Sequence, residues 1–181
     1  MSARESLLDH SLRQRWLPAG NSSFRVPARW RPWLSDAGSL TWRLQRAAGE
    51  PIRVRVLCER WQRPTADEAR ALGISPRHRA LIREVELLGR HAEPWVFART
   101  VIPATTLTGR ERRLKLLGSR SLGSFLFQDP SLERTPLQAC QLEDHQRQHY
   151  WARRSIFRLH GKPLLVCEVF LPAMEHVQYP F

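Results

Sequence analysis

A chain of 181 residues that is 42% apolar and 25% charged is long and apolar enough to form a single domain, here expected over 1–181, with a substantial core. Its three cysteines (Cys58, Cys140, Cys167) are widely spaced with no CxxC, which argues against a disulfide framework or a cysteine zinc site, and no apolar run approaches the ~20 residues that span a bilayer. The net charge of +12 comes from 29 basic residues, all arginine except Lys115 and Lys162. Such a charge attracts nucleic acid or a small anion, but the arginines are scattered, with no basic arm and no RNP-like aromatic motif, so nucleic acid is not the expected partner.

In chain order, MSARESLLDHSLRQRWLP lacks the apolar stretch of a signal peptide, and a cytoplasmic protein is expected. Residues 4–15 read as a helix closed by Pro18, and NSSFRVPARWRPW as irregular, with Pro27 and Pro32. The spacing in SDAGSLTWRLQRAAG predicts a helix from Ser39 to Gly49. EPIRVRVLCERW alternates as a strand, with Ile52, Val54, Val56 and Cys58 on one face and Arg53, Arg55 and Glu59 on the other. PTADEARALGISP predicts a short helix, with Thr65 and Glu68 at capping-box spacing and Gly73 as C-cap. Two strands then surround residues 89–93. TGRERRLKLLG reads as a second capping-box helix, Thr108 to Gly118, with a core-facing stripe of Leu114, Leu116 and Leu117 that favours an amphipathic surface helix over a DNA-contacting one. SLGSFLF is a short helix or turn. ERTPLQACQLEDHQ, HYWARRSIFRLHG and KPLLVCEVFLP supply three more strands. The sum is an α+β fold: a single six-stranded antiparallel sheet with helices on one face.

Two charges fall on apolar faces. In LLVCEVFL, bounded by Gly161-Lys162-Pro163 and Pro172, every residue but Glu168 is apolar, as in a strand buried on both sides. Alternation puts Glu168 beside Leu164, Val166 and Phe170. In the 80–88 strand, Arg83 shares a face with Leu81, Val85 and Leu87, while Glu84 and Glu86 take the other. Either Arg83 and Glu168 pair with each other, or each meets a ligand. The arginine fork matches a carboxylate; a glutamate in an apolar pocket tends toward a raised pKa and can exchange hydrogen bonds or a proton with a hydroxyl.

Other groups carry weaker signals. His145 and His149 stand at i, i+4, but HExxH and a third ligand are missing, so no metal is expected. In WARRS, one of Arg153 and Arg154 lines a site entrance or both are surface residues. Cys167 points away from Glu168 and reads as a small core residue.

Read together, LIREVELLGRHAEPWVFARTVIPATTLTG, LKLLGSRSLGSFLF, WARRSIFRLHGKPLLVCEVFLPA and, more weakly, GSLTWRL resemble the chorismate pyruvate-lyases, in that family's order and near its spacing, over roughly residues 30–174. Residues 1–29 match poorly, and LGRHAE is about one residue longer than usual. The resemblance implies a buried site behind flaps, without a cofactor, in which chorismate loses pyruvate to give 4-hydroxybenzoate on the way to ubiquinone. It places the substrate-binding arginine at Arg83, the essential glutamate at Glu168, a backbone amide contact at Leu122 and a first-flap contact at Leu40. The implied flaps are residues 35–44 and 109–126, with slow product release behind them, and a monomer is expected. The alternative is a non-catalytic effector-binding domain of the same fold, as found in bacterial regulators. Such a domain normally follows a DNA-binding domain, and with a first strand expected at residue 52 none is expected here.

Overall fold

Side-chain alternation on eight strands organises the protein, whose computed structural model describes residues 15–20 and 26–181. The strands are β1 (Leu17–Pro18), β2 (Arg53–Gln62), β3 (Ala80–Leu88), β4 (Pro94–Pro103), β5 (Glu133–Arg134), β6 (Gln138–Glu143), β7 (His149–Leu159) and β8 (Lys162–Phe170). All pair antiparallel in the order β1-β6-β7-β8-β4-β3-β2, with β5 on β7. β8, the run around Glu168, lies mid-sheet between β7 and β4, and Leu164, Leu165, Val169 and Phe170 are buried on both of its faces, as its apolar sequence requires.

The six predicted strands are present, but the sheet has eight. The two additions are two-residue pairings, Leu17 and Pro18 against Ala139 and Gln138, and Glu133 and Arg134 against Arg158 and Phe157. Segments this short carry no periodicity to read. The second also splits the strand predicted from Glu133 onward, because Pro136 interrupts it before Gln138.

The helices are α1 (Arg31–Ser35), α2 (Leu40–Ala48), α3 (Ala66–Leu72) and α4 (Leu122–Leu126). α2 begins and ends as its sequence predicts: the Ser39 hydroxyl accepts from Trp42 N at 3.3 Å, and Gly49 adopts φ 72°. In α3 the Thr65–Glu68 capping box is complete. α1 lies where irregular chain was expected; Pro32 sits in its first turn, where a missing N–H is harmless, and the helix buries Trp33 and Leu34. The helix predicted from Thr108 is instead a 3-10 segment, Gly109–Leu116, with no cap from Thr108. Its Glu111 is turned inward to Lys162 and His160, and of the leucine stripe Leu114 and Leu117 are buried while Leu116 is exposed. The helix predicted over residues 4–15 lies outside the described residues.

Helices cover both faces, not one. α1, α2 and α4 lie over the face that carries Arg83, Val166 and Glu168. α3 packs Leu72 on the other face, with Ile82, Val101 and Leu165. That back face holds acids of α3 against arginines of the sheet, an arrangement that a helix count could not reveal.

Candidate active site

Two neighbouring rows of residues form the floor of one pocket. Antiparallel register aligns Glu59, Arg83, Thr100, Val166 and Ser155 across five strands, and beside them Val85, Ala98, Glu168 and Arg153. Ideal sheet spacings put the Cα atoms of Arg83 and Glu168 roughly 12 Å apart. Between them stand Ala98 and Thr100, small enough to leave space above the sheet. The roof comes from α2 and α4, through Leu40, Thr41, Ser121, Leu122, Gly123 and Leu126. The void between floor and roof is about 40 Å³, room for a few water molecules.

Arg83, Glu168, Leu40 and Leu122, the four residues singled out in the sequence, all line this pocket. Arg83 and Glu168 do not pair with each other. Arg83, 2% exposed, donates from Nη1 to Glu59 Oε2 at 2.9 Å and from Nη2 to the Gly118 and Arg120 carbonyls at 2.7 and 3.3 Å. Its Nε has no partner among the described residues. Glu168 Oε2 accepts from Arg153 Nε at 2.7 Å, and Oε1 has no partner among the described residues. The neighbour of Glu168 is therefore a cation, not the purely apolar surround that strand periodicity suggested.

Arg153 and Arg154 are buried and not on the surface. Arg153, 1% exposed, lines the pocket and donates from Nη1 to the Trp33 and Asp36 carbonyls at 2.7 and 2.9 Å. Arg154 alternates to the back face and bonds Asp67 and Gln138.

Four further residues belong to the site without a signal in the sequence pattern. Glu59 was assigned to the opposite face of β2; a bulge between Val56 and Cys58 reverses the alternation and brings it over Arg83. Arg134, in two-residue β5, has no periodicity to betray it. It donates to Ser155 Oγ at 2.8 Å and to the Ala37 and Gly38 carbonyls at 2.7 and 3.2 Å, and stacks on Phe157 at 4.6 Å. Thr41 Oγ1 and Ser121 Oγ, 2.7 Å apart, join α2 to the N-cap of α4. A Cβ at Gly123 would come within 3.1 Å of Thr41 Oγ1, a tight contact at this crossing.

Every pocket arginine also holds a carbonyl of a covering segment. Arg134 and Arg153 hold residues 33–38, and Arg83 holds Gly118 and Arg120. Gly118, at φ 54°, permits the turn that aims its carbonyl at Arg83. Asp36 fixes the first segment further. Burial raises its carboxyl, but hydrogen bonds from Tyr179, Gly38 and Arg43 prevail and hold it below its ordinary value.

The remaining candidates do not form a second centre. His149 opens β7 and His145 lies in the preceding turn, so no helical i, i+4 face exists there. Among the described residues no group of three His, Cys, Asp or Glu could hold a metal. Cys167 faces away from Glu168, and burial pushes its thiol up to about 12, unsuited to nucleophilic chemistry. No helix among the described residues is long and apolar enough to cross a membrane.

The fold and the site thus define an α+β domain with a small pocket, roofed by α2 and α4 and lined by Arg83, Arg134, Arg153 and Glu168. Solved structures share this fold: PhnF from Mycobacterium smegmatis has a TM-score of 0.54 at 13% identity, covering 76% of this chain and 65% of that one. The C-terminal domain of the histidine utilization repressor from Pseudomonas syringae gives 0.53 at 12%, covering 72% and 98%. At such identities the likeness concerns the fold alone. Sequence goes further: the profile of the chorismate lyase family matches residues 11–178. The probable chorismate pyruvate-lyase 2 of Pseudomonas entomophila is 41% identical over 88% of this chain and 89% of its own, and the probable chorismate pyruvate-lyase of Aromatoleum aromaticum is 43% identical over 83% and 88%. The chain belongs to the chorismate lyase family.

Proposed function

We propose that this protein is a chorismate pyruvate-lyase, converting chorismate to 4-hydroxybenzoate and pyruvate toward ubiquinone, and working as a single-domain monomer in the cytoplasm. The observation that carries the reading is the convergence of Arg83, Glu168, Leu40 and Leu122 on one pocket with a surplus of positive charge. The substrate is a dicarboxylate, and three arginines against two carboxylates, Glu59 and Glu168, leave a net positive charge that suits it.

In the reaction the ether bond to the enolpyruvyl group breaks, the hydrogen on the hydroxyl-bearing carbon leaves, and the enolpyruvyl methylene gains a proton. Aromatisation of the ring drives the change, so the chemistry demands neither a metal nor a covalent nucleophile. The protein's task is to hold the dianion in a reactive shape and to stabilise charge moving toward the leaving group. Arg83, with its free Nε, binds the ring carboxylate, aided by the Leu122 backbone amide. The ring lies over Ala98 and Thr100, packed by Leu40. Glu168 Oε1 accepts the hydroxyl at the far end, held in place by Arg153. Arg83 and Glu168 are thus opposite ends of one small acid. Flaps joined by the Thr41–Ser121 contact favour slow product release.

The test is to mix protein with chorismate and measure both products, which are expected in equal amounts. The regulator-like fold supports a second reading, a non-catalytic effector-binding domain. Folded protein that binds 4-hydroxybenzoate but forms no product would favour it. In the same assay series, Arg83→Ala is expected to weaken 4-hydroxybenzoate binding at least 10-fold, and unchanged affinity would remove the carboxylate anchor.

A further inference from the structure

The charges of the pocket do not balance. Arg83 has Glu59 and Arg153 has Glu168, each at hydrogen-bond distance. Arg134 has no acid of its own among the described residues. Its acceptors, Ser155 Oγ and the Ala37 and Gly38 carbonyls, are all neutral, and its Nη2 has no partner among the described residues. The nearest acids are committed elsewhere: Glu168 to Arg153, and Asp36 to Arg43 and Tyr179. Burial pulls the Arg134 guanidinium down to about 10; the charge of Glu168 opposes this and that of Arg153 adds to it. A cation removed from water without an ion partner has most to gain from an arriving anion.

Its position says which anion. β5 flanks β7, so Arg134 stands across the pocket from Arg83 on β3, at the end where Glu168 lies. If Arg83 takes the ring carboxylate and Glu168 the ring hydroxyl, the enolpyruvyl ether occupies the ring carbon next to that hydroxyl. Its carboxylate then falls at the Arg134 end. We propose that Arg134 binds the enolpyruvyl carboxylate of chorismate, the group that leaves as pyruvate, while Phe157 and the hydrogen bonds to Ser155, Ala37 and Gly38 fix the guanidinium plane. This inference rests on the lyase reading above. The product 4-hydroxybenzoate lacks that carboxylate, so Arg134 distinguishes substrate from retained product, whereas Arg83 serves both. Arg134 also holds the 37–38 carbonyls, so the same contact closes the flap over bound substrate.

The test compares wild type, Arg134→Gln and Arg134→Lys in chorismate turnover and in 4-hydroxybenzoate titration. Arg134→Gln is expected to lower kcat/KM for chorismate by roughly 10- to 100-fold, the range of a lost charge-assisted contact, and to change the 4-hydroxybenzoate Kd less than 2-fold. Arg134→Lys, which keeps a charge but loses the fork, is expected to fall between and remains informative if the glutamine variant does not fold. A merely structural role would loosen the flap and weaken the product equally; that result, or unchanged kcat/KM in both variants, overturns the proposal. Absence of turnover by wild type would instead count against the lyase reading itself.

Discussion

On the back of the sheet Arg99 donates to Glu68 at 2.6 Å and to Glu84 at 2.5 Å; on the pocket side Arg134 donates, among the described residues, only to a hydroxyl and two carbonyls. Burial pulls both guanidinium groups down. For Arg99 the hydrogen bond and charge of Glu68, then of Glu84, more than restore it, and its affinity for a proton ends above the ordinary value. For Arg134 burial prevails. The same contrast runs through the two faces. Behind the sheet, Arg154 meets Asp67 and Arg55 meets Glu86, so each cation is closed by an acid. In front, Arg83 Nε and Glu168 Oε1 have no partner among the described residues. A buried charge alone does not mark a site in this protein; unfilled valence beside a void does.

The sharpest way to break this comparison is to neutralise one charge on each face. Glu168→Gln is expected to reduce kcat at least 100-fold, because the hydroxyl end of the substrate loses its charged acceptor. Arg99→Met is expected to leave activity per folded molecule within 2-fold while lowering stability by about 3 kcal/mol or more, since Glu68 and Glu84 would stay buried without their cation. That loss corresponds to a fall in Tm of roughly 6–12 °C by thermal unfolding. Catalysis that survives Glu168→Gln, or activity that collapses in folded Arg99→Met, would erase the distinction between the faces.

Smaller effects fall on the flaps. Glu111 holds the 109–116 segment to the β7–β8 turn through Lys162 Nζ at 2.5 Å and His160 Nδ1 at 3.0 Å. The Lys162 hydrogen bond, against burial and with help from His160, keeps its carboxyl below the ordinary 4.5. An acid depressed in the folded state adds stability above its unfolded value and loses it as pH falls through the folded value. Glu111→Gln is therefore expected to lower Tm by a few degrees at pH 7 and to flatten the decline of Tm below about pH 4.5, as unfolding across pH would record. Smallest of all, Ser121→Ala removes the α4 cap and the Thr41 contact, at about 1 kcal/mol. Stopped-flow release of 4-hydroxybenzoate is expected to quicken a few-fold; slower release would show that this contact does not restrain opening.

Much of this arrangement was legible in the sequence because period-2 alternation is rigid. It put Arg83 and Glu168 on apolar faces of β3 and β8, and both line the same pocket with different partners. It failed where alternation breaks or is too short. The β2 bulge reversed Glu59, and two residues of β5 concealed Arg134. Arg153 could have been found: it lies one residue from Arg154 and so on the opposite face, and register sets it directly across from Glu168. Helix placement was the weaker inference, since amphipathic spacing near Thr108 did not foresee Glu111 drawn inward by Lys162, and helix counting could not assign α3 to the back face.

In the proposed reaction chorismate fills the front-face charges. Its most direct test is a single assay of wild type and Glu168→Gln, with 4-hydroxybenzoate and pyruvate both quantified from chorismate. Wild type is expected to give equimolar products, and the variant a rate at least 100-fold slower. Binding of 4-hydroxybenzoate by folded wild-type protein with no pyruvate formed would contradict it.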